Sequence, residues 1–200
     1  MNLTQYKALF IVVIAILALL VASPALQRVL VYPQTEFFTE LSMLSSNHTA
    51  ENYPYGIVRN ESYNISLGIT NQLGSVAYYQ VEVKFRNETQ SGPDTFNQTA
   101  SSLPSLYNFN MVVANKESLE IPITFSIDYQ ENNNLQQVTY NSLILNGLNL
   151  NLGGTTSDWN PLTNQYYGNL IFELWIYNST ISSFQYNDRF VDLILNMTST

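Results

Sequence analysis

The chain has 200 residues, a mass of 22.7 kDa and a formal net charge of −8, with 15 acidic side chains against 7 basic ones. So few Lys and Arg exclude the clustered positive charge that nucleic acid or a polybasic contact with anionic lipid requires. Cysteine is absent and histidine occurs once, which removes disulfides, thiolate metal centres, cysteine nucleophiles and histidine-rich metal sites.

The first element is an uncharged run at 8–26, ALFIVVIAILALLVASPAL, in which twelve residues are Leu, Ile, Val or Phe. At about −0.3 to −0.6 kcal/mol each, these favour insertion into a bilayer by roughly −5 kcal/mol. As a helix the run is about 28 Å long, close to the roughly 30 Å apolar thickness of a membrane. A cleaved secretory signal has a shorter apolar region, and Pro24 spoils the small-residue cleavage sites around Ala22, Ser23 and Ala25. The run therefore reads as a retained anchor spanning residues 1–28, with a connector at 29–35 and an outer domain at 36–200. Lys7 before the run, and Arg28 followed by Glu36 and Glu40 after it, favour the N-terminus inside and the rest outside. Lys7-Ala8-Leu9 also resembles the cleavage site of archaeal pilin-like signal peptides, which keeps a filament subunit among the alternatives.

The outer part is polar but sparsely charged: charged residues are 11% of the chain, against an average near 25%, and asparagine occurs 24 times. Eight Asn-x-Ser/Thr triplets occur where chance gives about four. Asn2 precedes the anchor; Asn47, Asn60, Asn64, Asn87, Asn97, Asn178 and Asn196 follow it and are the candidate sites for N-linked glycans.

Beyond the connector the pattern is that of strands. Residues 36–44 read as a first strand. Tyr63, Ile65, Leu67 and Ile69 alternate with Asn64, Ser66, Gly68 and Thr70, and Tyr79, Val81, Val83 and Phe85 alternate with Gln80, Glu82, Lys84 and Arg86. With a Gly74 turn between them, these two strands are expected to form an antiparallel hairpin. Residues 87–104 form a long polar loop. Leu119, Ile121, Ile123, Phe125, Ile127 and Tyr129 make the cleanest apolar row, and Pro122, without a donor, marks an edge or bulge there. Residues 136–152 read as two short strands with a helix as rival, and 153–168 as a second long loop bearing Trp159, Tyr166 and Tyr167. Strands at 170–177 and 184–197 close the chain. The fold class is accordingly all-β: an Ig-like antiparallel sandwich of about seven to nine strands behind one transmembrane helix.

Short stretches resemble archaeal proteins of the domain-of-unknown-function family 1616. These are FTELSML at 38–44, AENYP at 50–54, NES at 60–62, GITNQ at 68–72, YQVEV at 79–83 and NLIFEL at 169–174. They are similar in order and spacing to that family's opening strand, its A-x-x-YP turn, its G-E turn (with Asn60 at the Gly position), and its later strands. The resemblance implies an envelope protein pairing membrane-spanning sequence with an outer β domain. It implies no activity, cofactor or catalytic residue.

Reactive constellations are few. A Ser-His-Asp site would have to use His48, which lies in a polar turn near Ser42, Ser45 and Ser46. Asp188 and Asp192 are the nearest C-terminal carboxylate pair, and Asp94, Asp128 and Asp158 are possible calcium donors without a calcium-binding loop. Ordinary turn and surface roles explain all of them better. No catalytic, cofactor or metal residue is therefore assigned. The expected function is non-enzymatic: a membrane-anchored surface protein whose domain binds another protein through a sheet edge or loop, touching lipid through residues 8–26. The alternatives are an accessory subunit of a membrane enzyme complex and a subunit of a surface filament.

Overall fold

The computed structural model describes residues 3–30 and 37–198, with side chains at 6–23 and from 37 onward. The connector at 31–36 and the triplet at Asn2 lie outside the described residues. The chain divides into two units, Met1–Phe37 and Phe38–Thr200.

The first unit is the helix α1 (Leu3–Leu30), longer at both ends than the apolar run. Its window Tyr6–Ser23 has a mean hydropathy of 2.5, and none of it is buried. The apolar side chains surround the helix instead of forming a stripe, as expected for a helix whose solvent is lipid.

The second unit is mostly β, with no helix among its described residues. Eleven strands follow in order: β1 (Thr39–Ser45), β2 (Gly56–Val58), β3 (Tyr63–Asn71), β4 (Ala77–Arg86), β5 (Tyr107–Val113), β6 (Ser118–Asn132), β7 (Gln137–Leu145), β8 (Leu148–Asn151), β9 (Thr156–Asn160), β10 (Gln165–Asn178) and β11 (Ser183–Thr198). They form one curled sheet of spatial order β1-β3-β6-β7-β9-β10-β11-β2, with β4 paired to β10, β5 outside β4, and β8 on β7. All pairs are antiparallel except β2 with β11, where Asn196 stands opposite Gly56. The curl brings Ile65, Leu67, Ile123, Phe125 and Ile127 into one buried cluster with Tyr79, Val81, Val83, Phe172, Leu193 and Leu195.

Several expectations change. Strands number eleven, not seven to nine. The expected hairpin of 63–70 with 79–86 does not form: β3 pairs with β1 and β6, whereas β4 pairs with β10 and β5. The Asn71 side chain explains the separation. It is fully buried, donates from Nδ2 to the carbonyls of Ser75 and Val113 (2.9 Å each), and accepts at Oδ1 from the Leu73 amide (3.0 Å). The chain is thereby turned across to β5's neighbour instead of back along β3. The supposed loop at 153–168 is the β9–β10 hairpin, closed by Trp159 opposite Tyr166. The strand reading of 136–152 holds, and the helix rival does not. Pro122 sits where β6 is paired to β3 alone, opposite Ser66, before β7 joins at Phe125. There its missing donor costs no ladder bond.

Two buried phenols cross the fold. Tyr129 on β6 places its hydroxyl 2.8 Å from the Ile57 carbonyl and 2.7 Å from that of Thr198, tying β6 to β2 and β11. Tyr140 on β7 packs edge-on against Phe85 at 4.9 Å and donates to the Tyr167 carbonyl at 2.7 Å. Burial pushes the Tyr129 hydroxyl up to about 12 from the ordinary 10, and the Tyr140 hydroxyl upward as well. A phenol kept neutral in the fold stabilises it fully below its unfolded pKa, and that stabilisation is lost as pH rises through the folded value. The denaturant midpoint is therefore expected to fall steeply between about pH 10 and about pH 12. Tyr129→Phe should cost about 1 kcal/mol at neutral pH and flatten that fall. An equally steep fall in the variant would assign the alkaline limit elsewhere.

Candidate functional site

On β4 the odd-numbered residues 79–85 face the core, and the even-numbered ones face out. The outward set nevertheless contains Lys84, which is 3% exposed. Its neighbour strand β10 behaves likewise: Leu170, Phe172 and Leu174 face the core, while Asn169, Ile171 and Glu173 on the opposite side are also fully buried. The cover comes from the segment 87–106 between β4 and β5, which returns over this outer face.

Lys84 Nζ donates to Glu173 Oε2 at 2.7 Å and to the Ser101 carbonyl at 3.1 Å, and lies 3.2 Å from Glu82 Oε2. The other Glu173 oxygen accepts the Ser101 amide at 2.9 Å and the Ser101 hydroxyl at 2.6 Å. Trp175 lies beside the ammonium, with its ring centre 5.9 Å away. Every donor of the ammonium and both carboxylate oxygens are thus engaged within the protein. The arrangement is a clamp that registers Ser101, and so the covering segment, against the sheet. The same segment is held at its start by Asn87, whose Nδ2 donates to the Thr156 carbonyl at 2.8 Å and whose Oδ1 accepts from Thr89 and Gln90. Arg86 donates to the Gln90 carbonyl and to Tyr167 Oη, at 2.8 Å each.

The residues singled out from sequence are not brought together. His48 is exposed, and its Nδ1 lies 2.7 Å from Glu120 Oε1. Asp94 caps its own turn, and hydrogen bonds from Asn97 and Phe96 hold its carboxyl below the usual range. For Asp128 burial works upward, but bonds from Arg59 and Asn141 outweigh it and leave the pKa lowered. Asp158 accepts from Gln137, Asp192 accepts from Asn169, and Asp188 sits in a β11 bulge with a φ of 52°. Among the described residues no group of three or more His, Cys, Asp or Glu could hold a metal ion.

The glycan candidates differ in surroundings. Asn47, Asn60, Asn64 and Asn97 are exposed; Asn87, Asn178 and Asn196 are half-buried. The Asn178 amide donates to Gln185 at 2.8 Å, and that of Asn97 to Asp94 at 2.5 Å. Sequence reading missed an open groove of about 480 Å³, lined by Glu131, Gln136, Trp159, Asn164, Tyr166 and Asn196 among others. Its aromatic wall is Trp159 edge-on to Tyr166 at 5.0 Å, two of the three rings that the predicted loop 153–168 bears.

These features define a class, β-rich proteins preceded by one helix long and apolar enough to span a membrane. The chain belongs to the family described as Domain of unknown function (DUF1616), whose profile matches residues 33–146. No curated protein matches it. Among solved structures it is similar to a β-glucosidase from Listeria innocua in complex with glucose (TM-score 0.33, 10% identity) and to the same enzyme with gluconolactone (TM-score 0.31, 8% identity). Each alignment covers 82% of this chain and 17% of that one, and a likeness so slight carries no argument.

Proposed function

We propose that the protein is a non-enzymatic component of a cell envelope. In this reading α1 is a single-pass anchor with its N-terminus inside. The strands form an Ig-like sandwich on the outer side, bearing N-linked glycans and binding a protein partner. The observation that carries the proposal is the wholly unburied apolar window Tyr6–Ser23. For the partner, β5 is the favoured edge: among the described residues it pairs only with β4, and its sequence YNFNMVV has no charge to repel an added strand.

The test is extraction from the native membrane. The full chain is expected to stay with the pellet through high salt and alkaline carbonate, and to be released by detergent, with residues beyond 37 digested by protease added to intact cells. Release by carbonate would remove the anchor, and protection from external protease would reverse the orientation.

A further inference from the structure

The strand registers place one set of strand ends together. The start of β1 pairs with the end of β3 (Thr39 with Asn71), the start of β4 with the end of β5 (Ala77 with Val113), and the end of β10 with the start of β11 (Asn178 with Ser183). Hydrogen bonds join these groups across the fold: Asn71 to the Val113 carbonyl, the Thr39 and Tyr79 hydroxyls at 2.8 Å, and Arg189 to the Thr39 carbonyl.

This end has a surface unlike the others. Its loops 71–77 (NQLGSVA) and 178–183 (NSTISS) contain no charge, and the third loop at this end, 114–117 (ANKE), carries the exposed pair Lys116 and Glu117 with no net charge. Val76 is 64% exposed, Val112 63% and Ile181 52%, and Phe38, Tyr78 and Tyr177 are exposed as well. Tyr78, Tyr177 and Phe184 stack on one another with ring centres 5.2–5.9 Å apart, which holds the phenols at the rim. Elsewhere exposed apolar residues such as Phe96, Leu135 and Leu162 stand singly on turns, which is ordinary for a soluble surface. Tyrosines with an apolar body and a polar tip, among exposed aliphatic residues, are the composition found at the headgroup layer of a bilayer.

Two further facts bear on which surface this end meets. It is the end where the chain enters the domain, and only nine residue steps separate Leu30 of α1 from Thr39, at most about 30 Å of extended chain. The triplets Asn47, Asn60, Asn64, Asn87 and Asn196 lie at the opposite ends of their strands, and Asn97 lies in the segment that follows the far end of β4. Asn178 alone stands at the entry end.

We infer that this end is a lipid-seating surface: Val76, Tyr78, Val112, Tyr177 and Ile181 rest in the headgroup layer of the membrane that holds α1. The inference rests on the anchor reading above. It makes the outer domain a body lying against the bilayer, with its glycan-bearing end and β5 edge presented to the exterior.

The absence of native cysteine allows a direct test. Val76→Cys, Ile181→Cys and, as the far-end control, Ser46→Cys are exposed positions whose labelling leaves the core intact. Each full-length variant, carrying a nitrobenzoxadiazole dye, is reconstituted in diphytanoyl phosphatidylcholine vesicles with headgroup spin-labelled lipid. Dye at 76 and 181 is expected to lose most of its fluorescence to the lipid quencher and little to aqueous iodide, and dye at 46 the reverse. Iodide quenching at 76 and 181 equal to that at 46 overturns the seat while leaving the anchor, provided the chain floats with the vesicles. Failure to float overturns both. A glycan on Asn178 in protein from its native membrane also overturns the seat.

Discussion

Replacing Glu173 with leucine is expected to destabilise the outer domain by about 3 kcal/mol, because the change takes from the buried Lys84 ammonium its buried counter-charge and leaves only the partly exposed Glu82, 3.2 Å away. Lys84→Met should cost a similar amount, leaving the carboxylate with only the Ser101 donors. The double variant should cost far less than the sum, since removing both charges also removes both desolvation penalties and joins Leu and Met to a face that already includes Ile171. Urea unfolding of the full chain in detergent, followed by tryptophan fluorescence, measures all three. The clamp reading makes a second demand. In either single variant the segment 87–106 should become sensitive to protease before the sheet does, because Ser101 loses the carboxylate or the ammonium that registers it. Additive costs, with the segment still protected, would show that the cover is held by its other contacts, Asn87 and Arg86 foremost.

This clamp was invisible in the sequence for a definite reason. Lys84 and Glu173 are 89 positions apart, and each occupies a place in its strand where alternation predicts a solvated polar side chain. What buries them is not the strand but the polar segment 87–106, whose composition reads as an ordinary surface loop. Period-two patterning reports which face a residue is on; it does not report what a loop later lays over that face.

The legible parts are those where one face is apolar and the other polar over a long run. β3, the row from Leu119 to Tyr129 and β11 were readable on that ground, whereas β10 was readable from a run at 170–177 that is apolar on both faces except for Glu173. β5 carries the same signal, with Phe109, Met111 and Val113 alternating with Asn108, Asn110 and Val112, and could have been found. β2 is only three residues long, and β9, TSDWN, has no periodicity; both exist because neighbouring strands offer them a ladder. The false hairpin came from treating adjacency in sequence as adjacency in the sheet. A turn of the length between Asn71 and Ala77 serves a hairpin or a crossing equally well, and only the buried contacts of Asn71 decide between them.

Asn71 therefore offers a sharp test of what sets the topology. Asn71→Asp keeps the side-chain shape but replaces two donors with a carboxylate oxygen facing the carbonyls of Ser75 and Val113. At neutral pH the loss should be about 4 kcal/mol or more, combining two unsatisfied carbonyls with a buried unpaired charge. Such a carboxyl has a folded pKa above its unfolded value near 3.9. Its neutral form is the one the fold tolerates, so stability relative to neutral pH is regained as pH falls toward the unfolded value and lost as pH rises through the folded one. The variant should thus gain stability on acidification where the parent chain does not, measured as urea midpoints at pH 4.5 and 7.5. Asn71→Ala should lose roughly 2–3 kcal/mol at both pH values, having no proton to take up. If Asp and Ala variants behave alike across that range, the Asn71 amide is not what carries the chain from β3 across to β4, and the crossing must be fixed instead by the backbone bonds of Asn71 to Lys116 and Glu117.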